Sequence, residues 1–170
     1  MDTFYLKIFA AVIASIFALW GNIPYLRDTI KGKVKPHPYT WFIWSIVSLV
    51  TFFGVLQKGA GVGAIPTGIA EVFTIFIFLF SIKNGFSNIQ KSDNIYLLAC
   101  VLGLIPWYFT SDPTISVSVV VGIDLIAFIP TLIKTWKYPA TENSLLYLMN
   151  VLRHILTLSA LGNYNYVTII

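Results

Sequence analysis

Four side chains able to carry charge lie inside long apolar stretches of this chain: Glu71, Asp124, Arg153 and His154. An ionised group costs at least about 2.5 kcal/mol at the centre of a bilayer, so each is expected to face the inside of a helix bundle. At 1.5 Å per residue, Asp124 stands about 14 Å from Ile133 at the end of its stretch, and Arg153 about 14 Å from Ser144. Glu71 stands about 17 Å from Ile82. In a hydrocarbon core about 30 Å thick these are midplane positions, where membrane carriers hold their solutes. Asn150 precedes Arg153 and His154 by three and four residues, so the three can share one helix face. Trp20 and Asn22 add an indole and an amide at similar depth, and Trp44, Ser48 and Thr51 do so on the next stretch. Such groups can hold a sugar, an amino acid or an organic anion, and a desolvated carboxylate beside an arginine can exchange a proton. Arg153 is expected within salt-bridge or one-water reach of Asp124 or, failing that, Glu71. The plain alternative is a structural ion pair joining two halves of the bundle.

The elements that must position these groups are membrane helices. The 170 residues are 57% hydrophobic and 11% charged, with mean hydropathy +0.80, a composition that excludes a water-soluble globule. Six apolar stretches approach the roughly 20 residues of a span: 4–26, 39–57, 62–82, 94–110, 113–136 and 144–161. The fold class is therefore all-α and polytopic, with the lipid bilayer as partner. The first stretch follows Met1-Asp2 with neither a basic segment nor a small-residue cleavage site, and reads as a retained helix. Most aromatics, Trp41, Trp107 and Trp136 among them, read as interface anchors or lipid-facing bulk. His37 reads as a solvated loop residue, and Thr40 and Ser144 as helix caps. No enzyme chemistry is legible: Gly59-Ala60-Gly61-Val62-Gly63 lacks the Lys-Ser/Thr of a phosphate loop, and no metal spacing occurs. Cys100 is the single cysteine. No cofactor and no catalytic role is expected.

Basic residues set the orientation. Arg27, Lys31, Lys33, Lys35, Lys83, Lys91, Lys134 and Lys137 fall in the first, third and fifth connections, and only Lys7 and Lys58 fall on the other side. The positive-inside rule places those three loops in the cytoplasm and the N-terminus outside. The net charge of +4 thus belongs to loops and calls for no nucleic-acid partner.

A repeat ties the stretches together. Ile23-Pro24-Tyr25-Leu26-Arg27-Asp28-Thr29-Ile30-Lys31 and Ile129-Pro130-Thr131-Leu132-Ile133-Lys134-Thr135-Trp136-Lys137 both read I-P-x-L-x-x-T-x-K, 106 residues apart. An even number of spans separates them, so the repeats are parallel. Each proline removes a helical hydrogen bond, freeing the carbonyl of Trp20 or of Ile126, and makes a hinge there. The expected division is a three-helix bundle in residues 1–83, a linker helix in 84–112, and a second bundle from 113 to 170. Residues 162–170, "GNYNYVTII", resemble the opening of a seventh span. The expectation is a chain cut short within it, the alternative a six-span protein.

In this plan, and in Pro24-Tyr25-Leu26 through Lys31 and Pro130-Thr131-Leu132 through Lys137, the chain resembles the PQ-loop and SWEET superfamily of small-solute carriers. The glutamine usual after the proline is Tyr25 or Thr131 here. Lys35-Pro36-His37-Pro38-Tyr39-Thr40-Trp41-Phe42-Ile43-Trp44 also resembles a Pro-His-x-x-Thr/Ser-Trp-x-Ile-Trp stretch of uncharacterised bacterial membrane proteins. The resemblance implies a three-plus-one-plus-three helix plan in a bacterial inner membrane and alternating access hinged at Pro24 and Pro130. Asp124, Glu71, Arg153, Asn150, His154, Trp20 and Asn22 are then the substrate or coupling candidates. A homo-oligomer remains compatible. The alternatives are a non-transporting receptor and a structural subunit of the same fold.

Overall fold

The computed structural model describes residues 3–109 and 113–169. Among them every regular element is helical: α1 (Thr3–Ile30), α2 (Pro38–Gln57), α3 (Ala64–Asn84), α4 (Lys91–Phe109), α5 (Pro113–Lys137), α6 (Ser144–Ala160) and the short α7 (Tyr166–Ile169). The first six of these elements overlap the six apolar stretches. The expected end of the fourth stretch at Thr110 lies outside the described residues, as does the side chain of Trp107. Four helices, Phe4–Ile30, Pro38–Gln57, Gly61–Asn84 and Ser118–Lys137, are long and apolar enough to cross a membrane, and Ser144–Ala160 is a shorter apolar helix.

Local chemistry sets the helix ends. α1 runs through Pro24 to Ile30, and Gly32 then turns the chain at φ 68°, a conformation that favours glycine. α2 starts on Pro38, whose missing N–H falls in the first turn where no helical partner exists. Asn143 caps α6 by accepting from the Leu145 N–H at 2.9 Å. Thr40 and Ser144 are thus not the caps: Thr40 lies inside α2 and donates across to the Ala127 carbonyl at 2.7 Å.

Packing follows small residues. Ala11, Ala14, Ala18 and Gly21 form a buried stripe at three- and four-residue spacing on α1, while Phe9, Ile16 and Ile23 are exposed on the opposite side. Small side chains let backbones approach closely, the arrangement that favours helix pairing in lipid. α1 packs against α6 and α3, α3 against α2, α2 against α5, and α5 against α4, whereas α1 with α2 and α5 with α6 form no comparable pair. α3 therefore separates α1 from α2.

The first, third and fifth connections gather at one end. Lys35 N–H donates to the Thr141 carbonyl at 3.0 Å and Phe86 N–H to the Pro36 carbonyl at 2.9 Å. At the other end Gly162 N–H donates to the Ala60 carbonyl at 3.0 Å. The basic loops expected to share one side do so.

His37 is not the solvated residue expected. It is 1% exposed, with Nε2 3.3 Å from the Asp93 carboxylate. The same Asp93 oxygen accepts from the Gln90 N–H and closes the start of α4. His37 Nδ1 is buried with no partner, so a second ring proton would have no acceptor. Burial therefore lowers the His37 pKa from the usual 6.5, outweighing the attraction of Asp93. The unfolded ring takes up a proton near pH 6.5 and the folded ring resists it. His37 is then neutral in the fold at pH 7, and stability falls as pH drops below 6.5 until the folded ring also titrates. The wild type should lose melting temperature between about pH 7.5 and 5.5, and His37→Gln should lose less over that window. Equal losses would show that His37 is not responsible.

Candidate functional site

One cavity of about 1120 Å³ runs between the helices, at the upper end of ordinary ligand pockets of roughly 300–1,000 Å³. Glu71 comes from α3, Asp124 from α5, Arg153, His154 and Asn150 from α6, and Asn22 from α1, and all six line it. Residues spread over more than a hundred positions thus share one space. Trp20 does not belong to it: this indole is 58% exposed on the outer face of α1, because the Ala18 and Gly21 face of the helix is the one turned inward. Pro24 and Pro130 lie below the cavity, inside continuous helices.

Arg153 is held by neutral groups. Its Nε donates to Asn150 Oδ1 at 3.0 Å, and Nη2 lies 2.8 Å from His154 Nε2. A guanidinium only donates, so the imidazole accepts there and carries its hydrogen on Nδ1. Among the described residues no carboxylate comes within salt-bridge distance of Arg153, so of the expected salt-bridge or one-water contact with Asp124 or Glu71 the salt bridge does not form. The reason is placement: each acid projects from a different helix around an open space. Arg153 Nη1 is buried with no partner, and so are both carboxylate oxygens of Glu71 and the indole nitrogens of Trp41 and Trp44. Ser48 faces Glu71 and Trp44 faces Asp124, but the Ser48–Glu71 and Trp44–Asp124 contacts do not close to hydrogen bonds. Buried polar groups are ordinarily satisfied, and such a concentration of orphans marks a place built for something else to enter.

Aromatic residues close the basic end of this space. Trp41 is 2% exposed and packs on Tyr25 and Trp44, each with ring centroids 5.3 Å apart. Its expected role as an interface anchor is therefore wrong, whereas Trp136, 90% exposed, has the position expected of one. Beneath lies a polar latch that the sequence did not reveal. Lys134 Nζ pairs with Glu142 and donates to the Lys35 carbonyl at 2.7 Å. The hydroxyls of Tyr25 and Tyr147 donate to the same carboxylate at 2.8 and 3.3 Å. Five segments meet at one buried pair, and the only signal available beforehand was a lysine inside an apolar helix end. At the opposite end the lining reaches Gln57 and Lys58, both exposed. Exposed side chains along α2 and α6, Phe53 and Val151 among them, also border the cavity, whereas buried Trp41 lies toward the basic end.

Positions 106 apart line the cavity in pairs: Asn22 and Phe128, Trp41 and Tyr147, Trp44 and Asn150, Ser48 and His154. The same offset relates two helix contacts. A Cβ on Gly21 of α1 would lie 3.5 Å from the Leu146 backbone of α6, and the Ala127 carbonyl of α5 accepts from Thr40 of α2. It also relates two local bonds, Thr29 Oγ1 to the Tyr25 carbonyl at 2.9 Å and Thr135 Oγ1 to the Thr131 carbonyl at 2.7 Å.

Comparison with protein-family models, with curated proteins and with solved structures finds no match to this chain.

Proposed function

We propose that this protein is a membrane carrier that moves a small polar solute by alternating access between the two faces of the bilayer. One observation carries the reading: a cavity that gathers the ionisable side chains of α3, α5 and α6 and leaves both Glu71 carboxylate oxygens and Arg153 Nη1 unpartnered. A structural subunit would pair these groups with one another, since an unpaired buried charge is costly.

In this reading α1 to α3 and α5 to α7 are parallel repeats, α4 is the linker, and α4 and α6 complete six spans. Support comes from the offset of 106, which relates the proline motifs, the cavity walls and the helix crossings alike. Exchanging α1 with α5 and α2 with α6 turns the α1–α6 contact into the α5–α2 contact. The basic loops face the cytoplasm by the positive-inside rule. The state described is then closed to the cytoplasm by the Lys134–Glu142 latch, and opening it means releasing that pair while the lower parts of α1 and α5 swing at Pro24 and Pro130.

The test is uptake into proteoliposomes of a panel of labelled solutes, with and without a pH gradient. Uptake of none of them, together with thiol probes in the cavity that react from one side only, would refute the carrier reading. Asp124 is the coupling candidate. Its equivalent at the same offset is Ala18, so the fold does not require an acid there. Asp124→Asn should leave the protein folded and able to exchange solute, yet unable to concentrate it on a pH gradient. Wild-type accumulation by this variant would remove Asp124 from that role.

A further inference from the structure

We propose that the solute is a small zwitterion, an aminocarboxylate held with its carboxylate on Arg153 and its ammonium on Glu71. The proposal rests on the reading of this cavity as a solute site and names what the site selects. Both side chains are more than nine-tenths buried, Glu71 at 4% and Arg153 at 6% exposure, and both line the same space. Their free atoms are complementary in kind. Glu71 presents two unpartnered acceptor oxygens, and Arg153 an unpartnered N–H nitrogen, Nη1, joined by the indole nitrogens of Trp41 and Trp44. An ammonium has three donors and no acceptor, and a carboxylate has acceptors only, so one molecule carrying both satisfies each group with its opposite.

Charge decides against the other classes. Arg153 is steadied by Asn150 and His154, which are neutral, so its charge is oriented without being cancelled. Among the described residues Glu71 has no cation within salt-bridge distance. A sugar would supply hydrogen bonds and leave both charges uncompensated in an apolar surround. An organic anion would answer Arg153 and meet Glu71 and Asp124 as like charges, and a simple amine would leave Arg153 unanswered. The aromatic rings of Trp41, Trp44, Phe128 and Tyr147 on the wall give an ammonium a favourable face and the ligand's apolar part a surface.

Binding to the purified full chain in detergent is measured by calorimetry with glycine, leucine and phenylalanine, with the two halves of the last, 2-phenylethylamine and 3-phenylpropionate, and with glucose. Phenylalanine should bind at least about tenfold more tightly than either half or glucose, since each of these leaves a buried charged group unsatisfied. Glu71→Gln should erase the advantage of phenylalanine over 3-phenylpropionate, and Arg153→Gln its advantage over 2-phenylethylamine. If neither variant folds, the wild-type panel decides alone by the same criterion. Binding of glucose or of either half as tight as that of the aminocarboxylates overturns the proposal, and so does the absence of binding by all three aminocarboxylates. Counterflow in liposomes separates the two readings. Aminocarboxylates that bind without counterflow refute the carrier and leave the zwitterion site standing, whereas counterflow of glucose or 3-phenylpropionate in preference to aminocarboxylates refutes the zwitterion and leaves the carrier.

Discussion

Replacing Glu142 with leucine should destabilise the protein by about 3–5 kcal/mol, the range for removing one partner of a buried ion pair. The side chains of Lys134 and Glu142 are 1% and 3% exposed, so the ammonium left behind has no water to turn to. The Lys35 carbonyl, at 2.7 Å, and the Phe86 ring would remain its neutral partners. The Tyr25 and Tyr147 hydroxyls lose their acceptor in the same step, and an unsatisfied buried hydroxyl adds about 1–3 kcal/mol of its own. The double variant Lys134→Met with Glu142→Leu removes both charges and should recover the part of the loss due to the stranded ammonium, while the part due to the two hydroxyls remains, because well-packed apolar residues often replace a buried pair without penalty. Denaturation midpoints of the three proteins in one detergent measure this. A single variant as stable as wild type would mean that the pair is not buried in solution. In the carrier reading the double variant also loosens the closed end, so a cysteine at Ser48 should react faster with an impermeant thiol reagent from the side of the basic loops.

Gly21→Leu should be the most damaging substitution among the apolar helix faces. A Cβ at Gly21 would lie 2.9 Å from Met149 Cβ and 3.5 Å from the Leu146 Cα and carbonyl oxygen. A whole leucine must therefore drive α1 away from α6. Overpacking of this kind costs typically about 1–3 kcal/mol. The functional loss should be larger than the loss of stability. Asn22 follows Gly21 on α1, and Asn150 and Arg153 stand on the facing helix, so separating the two helices widens the cavity at the groups that would hold a solute. Uptake should fall to background while the protein remains extractable. Gly122→Leu is the control, since a Cβ there meets nothing within 4 Å and a better helix former replaces glycine. Equal melting temperatures for the two variants would show that the α1–α6 crossing is looser than described.

The helices were legible in the sequence because, in a bilayer, a run of about 20 apolar residues can satisfy its backbone only as a helix. That is why the stretches 39–57 and 144–161 nearly coincide with α2 and α6, and why the alternation of basic loops anticipated which connections share an end. The candidate acids, Arg153 and Asn150 could also be read off in advance, since polar groups in such runs have to turn inward. The rotation of each helix about its axis was not legible. Trp20 and Asn22 are two positions apart on one apolar helix, and only the contact of the Ala18 and Gly21 face with α6 decided that the amide enters the cavity and the indole stays outside. Composition gives Trp41 and Trp136 the same meaning, and packing gives them opposite ones. The partners of the charges were legible only within one helix. Arg153 took Asn150 and His154 from its own helix, where spacing alone fixes reach. Lys134 took Glu142 eight residues away, together with Tyr25 from the other end of the chain, because the chain reversal between α5 and α6 and the approach of α1 to α6 bring those groups together. Local sequence sets which elements form, and tertiary packing sets which side chains meet.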